Sequence, residues 1–277
     1  MIRFGGVSSD SLNLEIERVP DYKKPERKYK KYDIPGRNGE LILMQDAWKN
    51  VTQRYKIFSS GRVNSVPLDY EEIAAWLYQD GYQRLEDDFD PDHYRLAYFP
   101  GPFDIENIVR RAGSAQIEFN CRPERFLISG ELEQILTPDY TTPSRYIRLA
   151  NPTSFPAKPL IRVVCEGADE DTECFIWLST TSTSAWDNRQ KFYIFFRPEL
   201  ENTTFYIDTQ SLDCYDESGN NLNRYIRFAV GTQVTTTTHG FPELAAGATY
   251  IGAFYADDSY PNTMITEVGI TPNWWRL

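Results

Sequence analysis

Histidine, methionine and cysteine are scarce in this chain of 277 residues, at two, three and four. The two histidines, His93 and His239, lie far apart, and neither has a second histidine near it. That spacing argues against a histidine-based zinc site. Cys121, Cys165, Cys174 and Cys214 form no CxxC pair, so they read as buried or half-exposed free thiols rather than a disulfide or zinc framework. The first residues, MIRFGGVSSDSLNLEI, hold no apolar run of leader length, and no stretch approaches a membrane span. A soluble protein made in a cytoplasm is expected, with no membrane partner. Missing too are a glycine-rich phosphate loop, a GxSxG elbow and a DxDxDG calcium loop closed by glutamate. No enzyme is expected, and no cofactor or metal. A looser calcium site at Asp87, Asp88, Asp90 and Asp92 stays open, since hard cations accept clustered carboxylates. Basic residues are in the minority, 29 against 40 acidic, for a net charge of −11. Such a surface repels phosphate backbones, which disfavours specific nucleic-acid binding.

What is present is aromatic and apolar. Aromatic residues make up 14% and apolar residues 41% of the chain, enough for a proper core and weighted toward β structure. The organising segment is 32–60, YDIPGRNGELILMQDAWKNVTQRYKIFSS. Its cluster Pro35-Gly36-Arg37-Asn38-Gly39 is a compact turn, because proline fixes φ and glycine admits positive φ. Strand-like runs follow at 40–44 and 50–58. The segment is a β-ribbon with a fixed corner. Before it lies a basic run at 23–31, read as a solvated loop or arm. The acidic run at 86–92 is a candidate dock for that arm on a neighbouring copy. Lys28, Lys30 and Lys31, with Arg37 at the corner, would then face Asp87 and Asp88 across an interface between copies.

One helix is expected. Asp69 is a good N-cap, Glu72 follows three residues on, Ile73, Trp76 and Leu77 share a face, and Gly81 ends it. From 114 to 122 the chain alternates, with Ala115, Ile117, Phe119 and Cys121 facing one way, until Pro123 ends the strand. Residues 137–160 are rich in proline, threonine and serine and mark a boundary. Beyond it, seven short strand candidates are separated by turn signals: 160–164, 174–178, 191–197, 203–208, 225–230, 249–255 and 264–271. That punctuation predicts a β-sandwich. The expected fold is mainly β, in two domains at 1–136 and 137–272, with 273–277 a candidate return to the first. Aromatic residues in the second half could stack on sugar rings. Trp177 and especially Trp186, in the polar loop 183–188, are the candidate glycan contacts, although alternating aromatics are more often core.

The same residues carry a resemblance. The run IPGRNGELILMQDAWKNVTQRYKIFSS, the helix 71–77 followed by RLEDDFDPDHYR at 84–95, and AQIEFNCRPERF at 115–126 resemble the first domain of the distal tail proteins of long-tailed (siphovirus) bacteriophages. The lead-in Asn151-Pro152-Thr153, the late turn at 241–247 and the last residues 272–277 are similar to that family's second domain. The resemblance implies a β-sandwich-like, ring-forming first domain with one helix and a galectin-like β-sandwich second domain. It implies a homohexameric ring in the virion's tail tip or baseplate, assembled in the host cytoplasm. The partners implied are the tail tube protein, the tail-associated hub protein, and a receptor-binding protein or host cell-wall glycan. The alternative is a carbohydrate-binding adsorption module acting through the second domain. A galectin-like shape alone carries no sugar affinity.

Overall fold

A computed structural model describes residues 1–19, 24–59, 70–102, 114–138, 146–166, 174–180, 192–196, 200, 203–230, 241–255 and 265–277. The chain divides into two compact units, Met1–Ile128 with Leu277, and Ser129–Arg276.

The first unit is built on one antiparallel sheet. Its strands are β1 (Ile2–Phe4), β2 (Val7–Ser8), β3 (Leu14–Arg18), β6 (Val51–Ser59), β7 (Gln83–Asp87), β8 (His93–Tyr98) and β9 (Ser114–Leu127), with β4 (Arg27–Asp33) and β5 (Glu40–Trp48) forming a separate ribbon. The sheet order is β2-β1-β7-β8-β9-β6-β3. Two residues that this order sets three strands apart touch: the Tyr55 hydroxyl on β6 donates to Asp87 Oδ2 on β7 at 2.6 Å. The sheet therefore curls over its own inner face. Ile2, Phe4, Tyr55, Ile57, Ile117, Phe119 and Cys121 fill that face, each a strand position in the inward register.

Helix α1 (Tyr70–Leu77) caps the core. Ile73, Trp76 and Leu77 are buried, as the i, i+3, i+4 spacing requires. The Trp76 indole N–H donates to the carbonyls of Phe4 and Val7, both at 3.2 Å, so the ring is both packed and satisfied. The proposed cap Asp69 lies outside the described residues. Gly81 adopts φ +71° in the turn leading to β7, where a side chain would be strained.

Strand β9 does not stop at Pro123. It runs on to Leu127, and its pairing with β8 slips between Arg95 and Ala97. The pairs Arg95–Arg125 and Ala97–Cys121 leave three residues of β9, Arg122 to Glu124, against one of β8. Proline is tolerated here because a bulge needs no ladder donor from it. The carbonyls freed by the bulge accept from Arg95 Nη1, at 3.3 Å to Arg122 and 3.3 Å to Pro123.

The second unit is a sandwich of two five-stranded antiparallel sheets. The first comprises β10 (Gln134–Leu136), β12 (Leu160–Cys165), β15 (Thr204–Asp208), β16 (Asp213–Asp216) and β19 (Ile265–Thr271), in the order β10-β19-β12-β15-β16. The second comprises β11 (Ile147–Asn151), β13 (Cys174–Ser179), β14 (Phe192–Phe196), β17 (Ile226–Val230) and β18 (Gly247–Tyr255), in the order β11-β18-β13-β14-β17. Ile161, Val163, Phe205, Ile207, Val268 and Ile270 from one sheet and Ile176, Ile194 and Ile251 from the other are buried, the alternation a two-layer core demands. Three of these strands, β10, β11 and β16, are additional to those expected. Strand β11 sits inside the proline-rich stretch, and β10 lies ahead of it, paired to β19.

Cys121, Cys165 and Cys214 are buried and form no disulfide. The side chain of Cys174 lies outside the described set. Burial pushes the thiols of Cys121 and Cys214 each up to about 12, because a thiolate would lose its hydration. A thiol raised in the fold stabilises it fully below the unfolded value near 9, and that contribution fades as pH climbs toward 12. By pH 10.5 the loss should reach about 2 kcal/mol per thiol. Urea midpoints measured from pH 8 to 10.5 should fall accordingly, and neither thiol should react with a disulfide reagent at pH 8 without denaturant. Fast labelling of the native chain at these two positions would contradict the burial.

Candidate functional site

The feature that stands apart is the β4–β5 ribbon. Its register pairs Tyr29 with Met44, Lys31 with Ile42 and Asp33 with Glu40 on one face, and Lys30 with Leu43 and Tyr32 with Leu41 on the other. The connecting turn holds Gly36 at φ +80° and Gly39 at φ +85°, and the Arg37 amide donates to the Ile34 carbonyl at 3.1 Å. At the base, Arg27 lies 5.6 Å over the Trp48 ring and Lys49 Nζ meets Glu26 at 2.8 Å. The basic run is thus a strand from Arg27 on and not a loop, because Tyr29 pairs with Met44 of β5 and Tyr32, just past the run, pairs with Leu41.

Both faces of the ribbon are open. Ile42, Leu43 and Met44 are 51%, 49% and 55% exposed, and Tyr29 and Tyr32 are exposed beside them. A two-stranded ribbon is marginal in water by itself, and an apolar patch of this kind marks an interaction surface. Charge points the same way. Residues 27–48 carry five basic and three acidic side chains, a net +2 in a chain of −11, so the other residues carry −13. Lys28, Lys30 and Arg37 are exposed on this element. Lys31 is engaged at home, its Nζ 2.6 Å from Glu40 Oε2.

The acidic run separates into unlike members. Asp88 is exposed and pairs with the Met1 ammonium at 3.0 Å. Asp87 points inward, its side chain 9% exposed, with Arg18 Nη1 3.8 Å away and Tyr55 donating to it. It is therefore not a dock for a neighbour's lysine. Asp90 accepts from His93 Nδ1 at 2.6 Å and from Arg125 Nη1 at 2.9 Å; since a carboxylate only accepts, Nδ1 carries the proton. With Asp87 and Asp90 so committed, the looser calcium site is not assembled. Among the described residues no group of three or more His, Cys, Asp or Glu is placed to hold a metal ion.

Around these carboxylates lies a buried polar network that no spacing in the sequence marks. Arg18 Nη2 donates to Gln53 Oε1 at 3.1 Å, and Arg95 reaches the bulge carbonyls. Burial, first, and then the charge of Asp87 push the Tyr55 phenol well above its ordinary range. Burial holds Arg95 below the ordinary guanidinium range.

In the second unit Trp177 is 4% exposed. Its ring lies so close to Gly252 that an added Cβ there would sit 2.5 Å from it, and Tyr146 meets it edge-on at 6.2 Å. Trp177 is core and presents no platform to a sugar. Trp186 and His239 lie outside the described residues. Tyr206 and Tyr215 stack on each other at 5.5 Å, so each covers a face of the other.

Comparison with known proteins agrees with this architecture. Residues 9–121 match the family model described as a phage tail protein RIFT-related domain. No curated protein matches the chain in sequence. Among solved structures, the crystal structure of the SPP1 Dit (gp 19.1) protein, described as a paradigm of hub adsorption apparatus in phages infecting Gram-positive bacteria, superposes with a TM-score of 0.62 at 12% identity, covering 100% of this chain and 98% of that one. The phage P2 baseplate in its activated conformation with Ca gives a TM-score of 0.48 at 9% identity, covering 92% of this chain and 89% of that one. Residues 9–121 thus match the model of a phage tail protein RIFT-related domain, and the chain shares the fold of the SPP1 Dit protein.

Proposed function

We propose that this protein is a structural, non-enzymatic component of a phage tail tip or baseplate. Six copies form a ring that joins the tail tube to the tail-associated hub protein and anchors receptor-binding proteins outside it. The observation that carries the reading is the ribbon: a positively charged, two-faced apolar hairpin on an otherwise acidic chain. Its complement in charge is the rest of a second copy, and a closed ring gives every ribbon a neighbour to lie on. Covering it also removes exposed strand edges that would otherwise invite uncontrolled pairing. The first unit carries the ribbon and is the ring-forming part.

The test is assembly of the full chain, followed by light scattering after size exclusion and by negative-stain imaging. Ile42→Glu with Met44→Glu should abolish rings while leaving the circular dichroism spectrum unchanged, since both side chains are exposed. Lys28→Glu with Lys30→Glu should weaken assembly several-fold at low salt and much less at high salt, where surface charges are screened. Rings that survive the double substitution in β5 would remove the ribbon from the interface.

A further inference from the structure

The buried network of the first unit holds three side-chain nitrogens that no described group answers. Among the described residues, Gln53 Nε2, Arg125 Nε and His93 Nε2 are buried without a hydrogen-bond partner, and Gln53 is 5% exposed. All three residues line one cavity of about 20 Å³, together with Arg18, Arg95, Asp87 and Asp90. Orphaned buried donors of this kind are costly unless something answers them.

The chemistry of the lining says what that is. Two of the orphans, the Gln53 amide nitrogen and the Arg125 Nε, can only donate. The His93 Nε2 joins them as a donor when the ring is cationic. Three guanidinium groups face two carboxylates, leaving one positive charge in excess before His93 is counted. Arg95 has no carboxylate partner among the described residues; it donates to the two bulge carbonyls of Arg122 and Pro123. The carboxylates are already engaged, Asp87 by Tyr55 and Arg18, Asp90 by His93 and Arg125. Arg125 Nη2 also reaches the Leu277 carbonyl oxygen at 3.4 Å. A water molecule could satisfy the donors and donate to the His93 Nε2 lone pair, but it would leave the excess positive charge unanswered. A small anion answers the charge as well as the donors. Space for about one water-sized particle excludes phosphate and sulfate.

We infer that this cavity is a binding site for a single small monovalent anion of halide size, held by the Gln53 amide and the Arg125 and Arg95 guanidinium groups. The anion neutralises the polar end of the curled sheet and so adds to the stability of the first unit.

Thermal unfolding of the full chain tests it, with sodium chloride exchanged for sodium gluconate at constant ionic strength. The midpoint should rise with chloride by a few degrees and saturate, as ligand binding to the native state requires. Gln53→Glu keeps the shape of the side chain and its oxygen for Arg18 while supplying the negative charge from the chain itself, so its midpoint should no longer depend on chloride. A crystal soaked in bromide should show an anomalous peak within hydrogen-bond distance of Gln53 Nε2, a readout that stands even if the variant does not fold. Equal midpoints in chloride and gluconate, a variant that responds as the parent does, or no bromide peak would each overturn the site.

Discussion

Phe119→Ala should lower the unfolding free energy of the first unit by about 3–5 kcal/mol. Phe119 is fully buried on β9 and is the ring the others meet. Phe4 lies 4.7 Å from it, tilted by 50°, and Tyr55 and Phe99 approach it edge-on, both at 6.0 Å. Removing the ring takes away its own transfer free energy and leaves a void bounded by three aromatic groups, on β1, on β6 and just past the end of β8. Those strands cannot close in together, so little of the void is recovered. Phe119→Leu, which refills most of the space, should cost about 1–2 kcal/mol. Urea unfolding followed by circular dichroism reads both. A loss under about 1 kcal/mol for the alanine variant would mean that the centre of this core lies elsewhere.

Asp87→Ala should be nearly as damaging, at about 3–5 kcal/mol, while Asp88→Ala beside it should cost under about 1 kcal/mol. The first substitution leaves the Arg18 guanidinium, itself mostly buried, without its nearby carboxylate and takes the acceptor from the buried Tyr55 hydroxyl. The second removes an ion pair between the Met1 ammonium and a side chain that is 58% exposed, where water competes and salt screens. Asp87→Asn should fall between, since the amide oxygen still accepts from Tyr55 while the charge is gone. Equal effects for the two alanine variants would contradict the inward placement of Asp87.

That pair also shows where the sequence stops being legible. In the run 86–92, Asp87 and Asp88 look alike, and both were fair candidates for an interface. What parts them is the parity of β7, which pairs Asp87 with Ile2 and Leu85 with Phe4 and so turns Asp87 to the same buried side as Leu85. Parity becomes decisive only once the strand is known to lie over a curled interior. The helix was legible because Ile73, Trp76 and Leu77 repeat at its period, and the ribbon's corner because Pro35, Gly36 and Gly39 admit few alternatives. Pro123 misled, since a proline that ends a regular strand is harmless in a bulge, and the bulge is visible only in the offset between β8 and β9. The basic run hid β4 for a related reason: its lysines read as solvated charge, and only the register with β5 sets Tyr29 and Tyr32 opposite apolar residues. The network of Arg18, Gln53, Arg95 and Arg125 could not be read at all, because its members come from four strands with no fixed spacing.

The position of β9 has a consequence for how the chain is made. It lies between β8 and β6 in the finished sheet, yet it is the last of that sheet's ordered path to be translated. Until it arrives, the β1-β7-β8 group and the β3-β6 pair are two separate pieces with bare margins and greasy inner faces. At ordinary translation rates the roughly 110 residues between β1 and β9 take on the order of ten seconds to synthesise. For that interval the nascent chain, nearly balanced in charge with 17 basic and 19 acidic residues over 1–113, keeps those margins open, and a single late segment then joins the two pieces at once.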